Sequence, residues 1–297
     1  MIRPLWRLAK AAFNEWWEDD AFRLAAALAF YTIFSLAPIL LISVELVGFI
    51  FSKEEARQQI IYQVENLTGA QGGAAVSEVL NSLGALGGNW SAVLLGVLAI
   101  LAGSTAVFAN LQSALNQIWD VKPDPRQNML KGLLRSRLQS FALVLTVGFL
   151  LLVSLVLSAF FSAAQEYLTA WIPGGRWWWQ LSNSVGSFVI IALMFALIYK
   201  YLPDVKITWK DVGIGAVVTA VLFSLGKWLI GLYLGRTAFA STYGAAGSFV
   251  VMLLWVYYSA LISFYGAEFT QVYARQYGSR IRPKNHAVRI GDKSETL

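Results

Sequence analysis

The sequence predicts an all-α, polytopic membrane protein with six transmembrane helices, an N-terminal amphipathic helix and short outer interfacial helices. Hydrophobic residues make up 57% of the 297 residues, and charged residues only 13%, compared with about 25% in soluble domains. Each uncharged stretch is longer than the roughly 20 residues that a helix needs to cross the hydrocarbon core. These stretches are Val79–Trp119, Leu138–Gln165, Trp177–Tyr199 and Thr237–Ala267.

The composition also excludes several kinds of reactive site. The chain has no cysteine, and its single histidine is His286 in the polar C-terminal segment. Thiolate nucleophiles, zinc–thiolate sites and histidine-based chemistry in the membrane core are therefore excluded. We predict no catalytic residue, no metal site and no cofactor. The first apolar run follows residue 23 and lacks a small-residue cleavage pattern, which predicts a retained span rather than a signal peptide.

The spans are predicted at residues 24–51, 90–117, 138–163, 178–201, 212–234 and 247–268. Eighteen lysine and arginine residues fall in segments on one side of this layout and four on the other. By the positive-inside rule, both termini are cytoplasmic. We therefore expect an amphipathic segment at 1–23, a transmembrane domain at 24–268 and a basic tail at 269–297. The basic face would meet anionic lipid headgroups, so a nucleic-acid partner is unnecessary.

Two segments outside the spans have helical patterns. Within residues 5–17, Leu5, Ala9, Ala12 and Trp16 share one face, which predicts an amphipathic helix on the inner membrane surface. The alternative is a helix that packs on the loops. The longest outer segment, 53–88, is predicted to form two short helices separated by the glycines at 69, 72 and 73. These helices would cap the outer mouth or lie along the interface.

The first span contains a helix breaker and a carboxylate. In LAAALAFYTIFSLAPILLISVE, the spacing of Tyr31, Ser35, Pro38 and Glu45 places them on one helical face. Proline at 38 frees the carbonyl of Phe34, which then needs a partner inside the bundle. This face is a candidate wall of a polar cavity. The alternative is a tolerated kink with a carboxylate that reaches the outer headgroups.

The fifth span contains a lysine at a matching depth. Lys227 and Glu45 both lie roughly 10 Å below the predicted outer boundary, at ~1.5 Å per residue. A charge deep in a bilayer costs on the order of 3 kcal/mol or more, so opposite charges at one depth favour pairing. We therefore predict that Glu45 pairs with Lys227, the alternative being that Lys227 reaches the interface alone.

Further polar candidates lie towards the inner ends of the second and sixth spans. Amides in lipid are costly, so those of the second span are expected to face protein or a wet vestibule. Glu268 is expected to form a structural cap or a salt bridge with a basic loop, although it also belongs to the polar face of the sixth span. The candidates at this end are Asn110, Gln112, Asn116, Tyr258, Tyr265 and Glu268.

Three stretches resemble the YihY/BrkB family of bacterial inner-membrane proteins, whose older members were labelled ribonuclease BN. They are AAALAFYTIFSLAPILL at Ala25–Leu41, the ANLQSALNQIW run ending at Trp119, and YGAAGSFVVMLLWVYYSALISFYGAEFTQVYA at Tyr243–Ala274. The resemblance implies a six-helix protein of the bacterial cytoplasmic membrane. It also implies transport, including movement of lipid or lipid-like anions, as the proposed activity.

Three functions remain from the sequence. A transporter or flippase-like protein that moves a lipid-like or anionic substrate is favoured by the kinked first helix and the polar faces. A scaffold or envelope-assembly factor is the main alternative, and a membrane-embedded enzyme is the third. Phosphodiester hydrolysis usually needs clustered metal-binding carboxylates or histidines, which the predicted inner face lacks. Membrane lipids are the expected partners, and a homo-oligomer is compatible with the sequence.

Overall fold

The computed structural model describes residues 2–48, 52–68, 70–84, 106–126, 176–236, 245–278 and 281–290. These residues form eight helices and four short strands. The helices are α1 (Ile2–Glu18), α2 (Ala21–Gly48), α3 (Lys53–Thr68), α4 (Ala70–Gly84), α5 (106–118), α6 (Arg176–Tyr201), α7 (Trp209–Arg236) and α8 (Ala245–Gln276). The strands are β1 (Val121–Pro123), β2 (Val205–Lys206), β3 (Arg282–Pro283) and β4 (Ala287–Arg289).

Helices α6, α7 and α8 are long and apolar enough to cross a membrane. Each carries large apolar side chains exposed on its surface, as expected for helices whose outer face meets lipid. These exposed residues are Val185, Val189, Leu193, Val217, Val221, Leu225, Trp228, Leu229, Phe249, Val250 and Leu254. The described part of the chain therefore supports three of the six predicted spans directly. The predicted span at 138–163 lies outside the described residues, as does most of the one at 90–117.

Two matching Gly-x-x-x-Thr motifs hold α7 against α8. Gly215 lies against Thr270, and Gly266 lies against Thr219, so the two motifs interlock in opposite directions. A Cβ atom at either glycine would overlap the facing threonine hydroxyl. Small residues let helix backbones approach closely in a membrane. The buried Tyr199 of α6 completes this contact, since its hydroxyl donates to the backbone oxygen of Ser263 at 2.7 Å.

Helix α8 is the central element of the described bundle. It packs against α1, α2, α4 and α7, and it continues as a helix to Gln276, beyond the predicted end at residue 268. Helix α2 is helical from Ala21 to Gly48, through Pro38. The proline therefore does not end this helix.

The segment 53–84 forms two helices, as predicted. Helix α3 begins with a capping box, in which the Ser52 backbone amide donates to Glu55 Oε2 at 2.9 Å and the Glu55 amide donates to Ser52 Oγ at 3.3 Å. Helix α3 ends at Thr68 and α4 begins at Ala70, whereas the predicted breakers Gly72 and Gly73 lie inside α4. Buried apolar side chains of α4 pack against Leu40 of α2 and Met252 of α8. The pair of helices thus attaches to the side of the bundle.

The prediction of a purely helical chain missed four short strands. β1 pairs antiparallel with β4, and β2 pairs antiparallel with β3. Residues 281–290 therefore bind both the segment that follows α5 and the connection between α6 and α7. We call residues 119–126, 202–208 and 281–290 the terminal cap. It lies at the end of the bundle that the sequence predicts to be cytoplasmic.

Helix α1 is amphipathic in a different way from the prediction. Its buried face is formed by Leu8, Ala12 and Trp16, which lie against α8, so Leu8 takes the place expected for Ala9. The other side exposes large aromatic rings together with basic residues. These exposed side chains are Trp6, Arg7, Lys10, Phe13 and Trp17. Helix α1 therefore packs on the bundle and also presents an aromatic, basic surface suited to a membrane interface.

Candidate functional site

Asp204 lies at the centre of the terminal cap and is only 4% exposed. Its carboxylate accepts hydrogen bonds from Asn116 Nδ2 at 2.9 Å and from Gln112 Nε2 at 3.4 Å. The backbone amide of Asp204 donates to Asn116 Oδ1 at 2.8 Å. His286 Nε2 lies 2.9 Å from the carboxylate. A buried charge held by this many polar groups is well satisfied.

This cluster accounts for two of the predicted cavity residues. Gln112 and Asn116 face protein, which is one of the two surroundings expected for them. They do not line a cavity, because both donate to Asp204 in the connection between α6 and α7. The C-terminal segment is bound at the same place by Lys284. Its side-chain Nζ donates to the backbone oxygen of Pro203 at 2.7 Å, and its backbone amide donates to the backbone oxygen of Asp204 at 2.8 Å. The two amides therefore anchor the terminal cap.

Glu268 lies beside this cap in a different environment. Its side chain is fully buried, and no described donor reaches either carboxylate oxygen. The charged groups that face it are Asp19 in the α1–α2 turn, Glu15 on α1 and Asp120 after α5. The expected salt bridge with a basic loop is not formed by the described residues. Glu268 is instead surrounded by other acids.

Asp19 faces Glu268 from the α1–α2 turn, and the two carboxyl groups interact directly. Burial raises the pKa of Asp19 above its ordinary value of 3.8, and the charges of Asp120 and Glu15 raise it further. Hydrogen bonding to Glu268 acts in the opposite direction. Two ionised carboxylates are both acceptors only, so this contact becomes a hydrogen bond only when one of them carries a proton.

The two tyrosine candidates on α8 contact neighbouring helices. The Tyr265 hydroxyl donates to the backbone oxygen of Ala9 on α1 at 3.1 Å. Tyr258 lies against Gly226 of α7, where a Cβ atom would overlap its hydroxyl. Both side chains therefore help to place other helices on α8.

A cavity of about 150 Å³ lies between α2, α5, α6 and α8. Its walls are almost entirely apolar, and the predicted polar candidates do not form them. Ser259 contributes a buried hydroxyl that has no hydrogen-bond partner among the described residues. The lining residues are Leu28, Leu111, Leu115, Phe195, Ile198, Tyr199, Val256, Ser259, Ala260 and Ser263.

The remaining candidates lie on α2, α5 and α7. Ser35 is buried and donates to the backbone oxygen of Tyr31 at 3.0 Å, whereas the Tyr31 ring is exposed. Asn110 is half-buried, with an Oδ1 atom that has no described partner. Lys227 is half-buried. The side chains of Pro38 and Glu45 lie outside the described part of the structure, so the predicted Glu45–Lys227 pair stays a prediction.

Sequence reasoning missed Asp204, Asp19 and Tyr199, and each had a signal of a different strength. Tyr199 accompanies the two Gly-x-x-x-Thr motifs, whose four-residue spacing is visible in the sequence. Asp204 lies between two predicted spans, where an acid normally reads as an exposed loop residue. Its four polar partners come from distant parts of the chain, so no local pattern could identify it.

Comparisons with known proteins identify the family. The family model described as "Virulence factor BrkB" matches residues 12–291. A UPF0761 membrane protein of Psychrobacter sp. (strain PRwf-1) is 26% identical over 93% of this chain and 50% of its own length. One of Paraburkholderia xenovorans (strain LB400) is 28% identical over 100% of this chain and 66% of its own.

A third relative, from Ralstonia nicotianae, is 27% identical over 90% of this chain and 58% of its own length. This chain thus spans about half to two thirds of the length of these relatives, and their names describe membrane proteins without naming a reaction. No solved structure matches. The long apolar helices and the family match over residues 12–291 lead to one conclusion: the chain is an integral membrane protein that belongs to the YihY/BrkB family.

Proposed function

We propose that this protein is a transporter or flippase-like protein that moves a lipid-like substrate across the bacterial cytoplasmic membrane. The observation that carries this proposal is the apolar cavity between α2, α5, α6 and α8. This pocket of about 150 Å³ is lined by side chains of four helices and is almost entirely apolar, so it offers room for part of an acyl chain.

The chemistry of the cavity favours an acyl chain over a polar solute. Its lining is aliphatic and aromatic, so an ion or sugar would lose its hydration without gaining hydrogen bonds. The unpartnered Ser259 hydroxyl supplies one polar contact. Near the terminal cap, the exposed Trp6, Lys10 and Trp17 of α1 form a surface suited to anionic headgroups. A lipid anion fits both surfaces.

Purified protein in lipid vesicles provides the test. We would measure the translocation of a fluorescent anionic lipid by quenching from outside, with empty vesicles as the reference. The variant Ala260→Phe places a ring where the cavity lies, and we expect it to lower the rate at least tenfold. Ser259→Val keeps the side-chain size, removes the hydroxyl and should lower the rate by a smaller factor.

The matched control is Val221→Phe, which adds a similar ring volume to the exposed face of α7. It should move lipid at the wild-type rate. Gel filtration and thermal unfolding would establish that each variant is folded. Translocation by the wild type no faster than in empty vesicles, or equal rates for Ala260→Phe and Val221→Phe, would contradict the proposal.

A scaffold function is the second candidate, and the terminal cap is the observation that favours it. Three separate segments are held together around Asp204, which gives the protein a rigid surface at one end. If this surface is the functional part, Ala260→Phe should support cell growth as well as the wild type does. Variants of the terminal cap that fold should then fail.

We also propose that this protein is not an enzyme and that both of its termini lie on the cytoplasmic side of the membrane. Arginine and lysine residues of α1 and the terminal cap favour the cytoplasmic side for this end of the bundle. Reporter fusions after residues 126 and 290 should be active in the cytoplasm, whereas a fusion within 53–68 should be active outside. A cytoplasmic reporter within 53–68 would contradict the orientation.

A further inference from the structure

The basic residues near Glu268 are engaged by acids at the edge of the cluster. Arg275 Nη1 lies 3.3 Å from Glu15 Oε1, and Arg23 Nε lies 2.8 Å from Asp20 Oδ2. Both pairs are substantially exposed. They leave the buried Glu268, the half-buried Asp19 and the exposed Asp120 without a cationic partner in the described part of the chain.

Two amide side chains serve the other two of these acids. Gln271 Nε2 donates to Asp120 Oδ2 at 3.2 Å. Gln117 Nε2 donates to the backbone oxygen of Asp19 at 2.9 Å. Among the described residues, no donor reaches Glu268, and the Asp19 carboxyl group interacts with it directly. Glu268 is therefore a fully buried acid that faces other acids.

A second, independent observation points to a missing positive charge or proton. The side chain of Gln271 is 2% exposed, and its Oε1 atom has no donor, although its amide group is in contact with the acid cluster. Two oxygens of Glu268 and one of Gln271 are thus buried and accept from no donor among the described residues. Leaving such groups unsatisfied is costly, so something that donates or carries positive charge is expected among them.

We propose that Asp19 and Glu268 form a carboxyl pair that binds one proton between the α1–α2 turn and α8. The bound proton turns a contact between two acceptors into a hydrogen bond. When the proton leaves, two negative charges face each other in a buried place, and the turn is repelled from α8. The pair thus links proton binding to the position of α1 and α2 on the central helix.

A metal ion is the other ligand that acids bind, but the geometry favours the proton. Within the described residues, no three acid or histidine side chains come close enough together to hold a metal ion. Hard cations such as Na⁺ and Ca²⁺ need several oxygen ligands around one point. A proton needs only the two oxygens that the Asp19–Glu268 contact supplies.

Infrared spectroscopy of the full chain in lipid discs tests this inference directly. A protonated carboxyl group has a carbonyl stretching band that an ionised one lacks. We expect the wild type at neutral pH to show one such band from a buried group, which disappears on titration to alkaline pH. Glu268→Gln and, separately, Asp19→Asn should each abolish or shift this band. The matched control Glu15→Gln changes an acid at the exposed edge and should leave the band in place.

The wild-type spectrum can overturn the proposal by itself, whereas the Asp19 and Glu268 variants assign a band to this pair rather than to another acid such as Glu45. Absence of the band at neutral pH would overturn the proposal. A band that persists in both Glu268→Gln and Asp19→Asn would also overturn it, because the proton would then lie elsewhere. Stabilisation by NaCl or CaCl₂ that choline chloride does not reproduce, and that Glu268→Gln abolishes, would assign the site to a metal ion instead.

The sequence places no cysteine in the chain, which permits a second readout. Spin labels at the exposed positions of the Glu18→Cys, Gln276→Cys double variant would report the distance between the end of α1 and the end of α8. We expect this distance to increase at alkaline pH and to stay constant when Glu268→Gln is added. Both readouts are independent of lipid transport, so they can fail or succeed without deciding the proposed function.

Discussion

Asp204 and Glu268 are both buried carboxyl groups at the same end of the bundle, yet their surroundings are opposite. Asp204 accepts hydrogen bonds from two amides and contacts the His286 ring. Glu268 has no described donor and faces three other acids. The first environment stabilises a negative charge, whereas the second penalises one.

Burial alone therefore does not make a carboxyl group functional. Asp204 lies in the α6–α7 connection, and the side chains that contact its carboxyl group come from α5 and the C-terminal segment, so these contacts join the three parts. Glu268 is more completely buried, but no donor among the described residues reaches its carboxyl group. We therefore interpret Asp204 as a structural anchor and Glu268 as one half of a proton-binding pair.

The largest expected effect comes from Asp204→Ala. This change leaves the amides of Gln112 and Asn116 and the His286 ring buried without their shared acceptor. Breaking a buried, paired group costs on the order of 3 kcal/mol, so we expect the free energy of unfolding to fall by about this amount. Denaturant unfolding in detergent measures it. Asp124→Ala, in the same cap but bonded to the adjacent Arg126 amide, is the control and should change stability little.

A smaller effect is expected from His286→Ala. Asp204 would keep its two amide donors, so only one charged contact is lost, which is worth about 1.5 kcal/mol. Since His286 lies in the segment that carries β3 and β4, limited proteolysis should cut residues 281–290 faster than in the wild type. Ile290→Ala, at an exposed position of the same segment, is the control. Equal cleavage rates for the two variants would show that the histidine does not anchor this segment.

The pH dependence of stability gives a smaller effect, with a definite sign. Because the pKa of Asp19 is raised in the folded protein, the folded state retains a proton that the unfolded chain has released. The free energy of unfolding should therefore fall as pH rises from the ordinary aspartate pKa towards the raised value, and be flat below it. Asp19→Asn should flatten this slope. A wild-type stability that rises with pH across this range would contradict the raised pKa.

The membrane-facing part of the fold was the most predictable from the sequence. Long uncharged stretches identify α6, α7 and α8, because lipid requires a continuous apolar surface and backbone groups that bond within the helix. The two helices at 53–68 and 70–84 were also predicted, since glycines interrupt their pattern. Helix ends were predicted less well. The acidic residue Glu268 was taken to mark the membrane boundary and the end of the span, but α8 continues to Gln276 and Glu268 is buried by protein.

The candidate site was less predictable, for a physical reason. Gln112 and Asn116 were identified as buried amides, but their partner Asp204 lies 88 residues beyond Asn116. Spacing within one helix tells which residues share a face, and it does not tell which neighbour covers that face. The same limit applies to Asp19, which reads as a solvated turn residue until α8 is placed beside it. Contacts between helices decide both roles.

Replacing each acid by its amide tests the central claim most directly, because the same chemical change is made in both environments. Asp204→Asn should lower the free energy of unfolding by about 2 kcal/mol, since an oxygen that accepts from the Gln112 and Asn116 amides is replaced by a nitrogen that only donates. Glu268→Gln should raise it, because an amide cannot ionise among the three acids that face Glu268. Opposite signs would support the account. A loss of stability for Glu268→Gln similar to that for Asp204→Asn would contradict it.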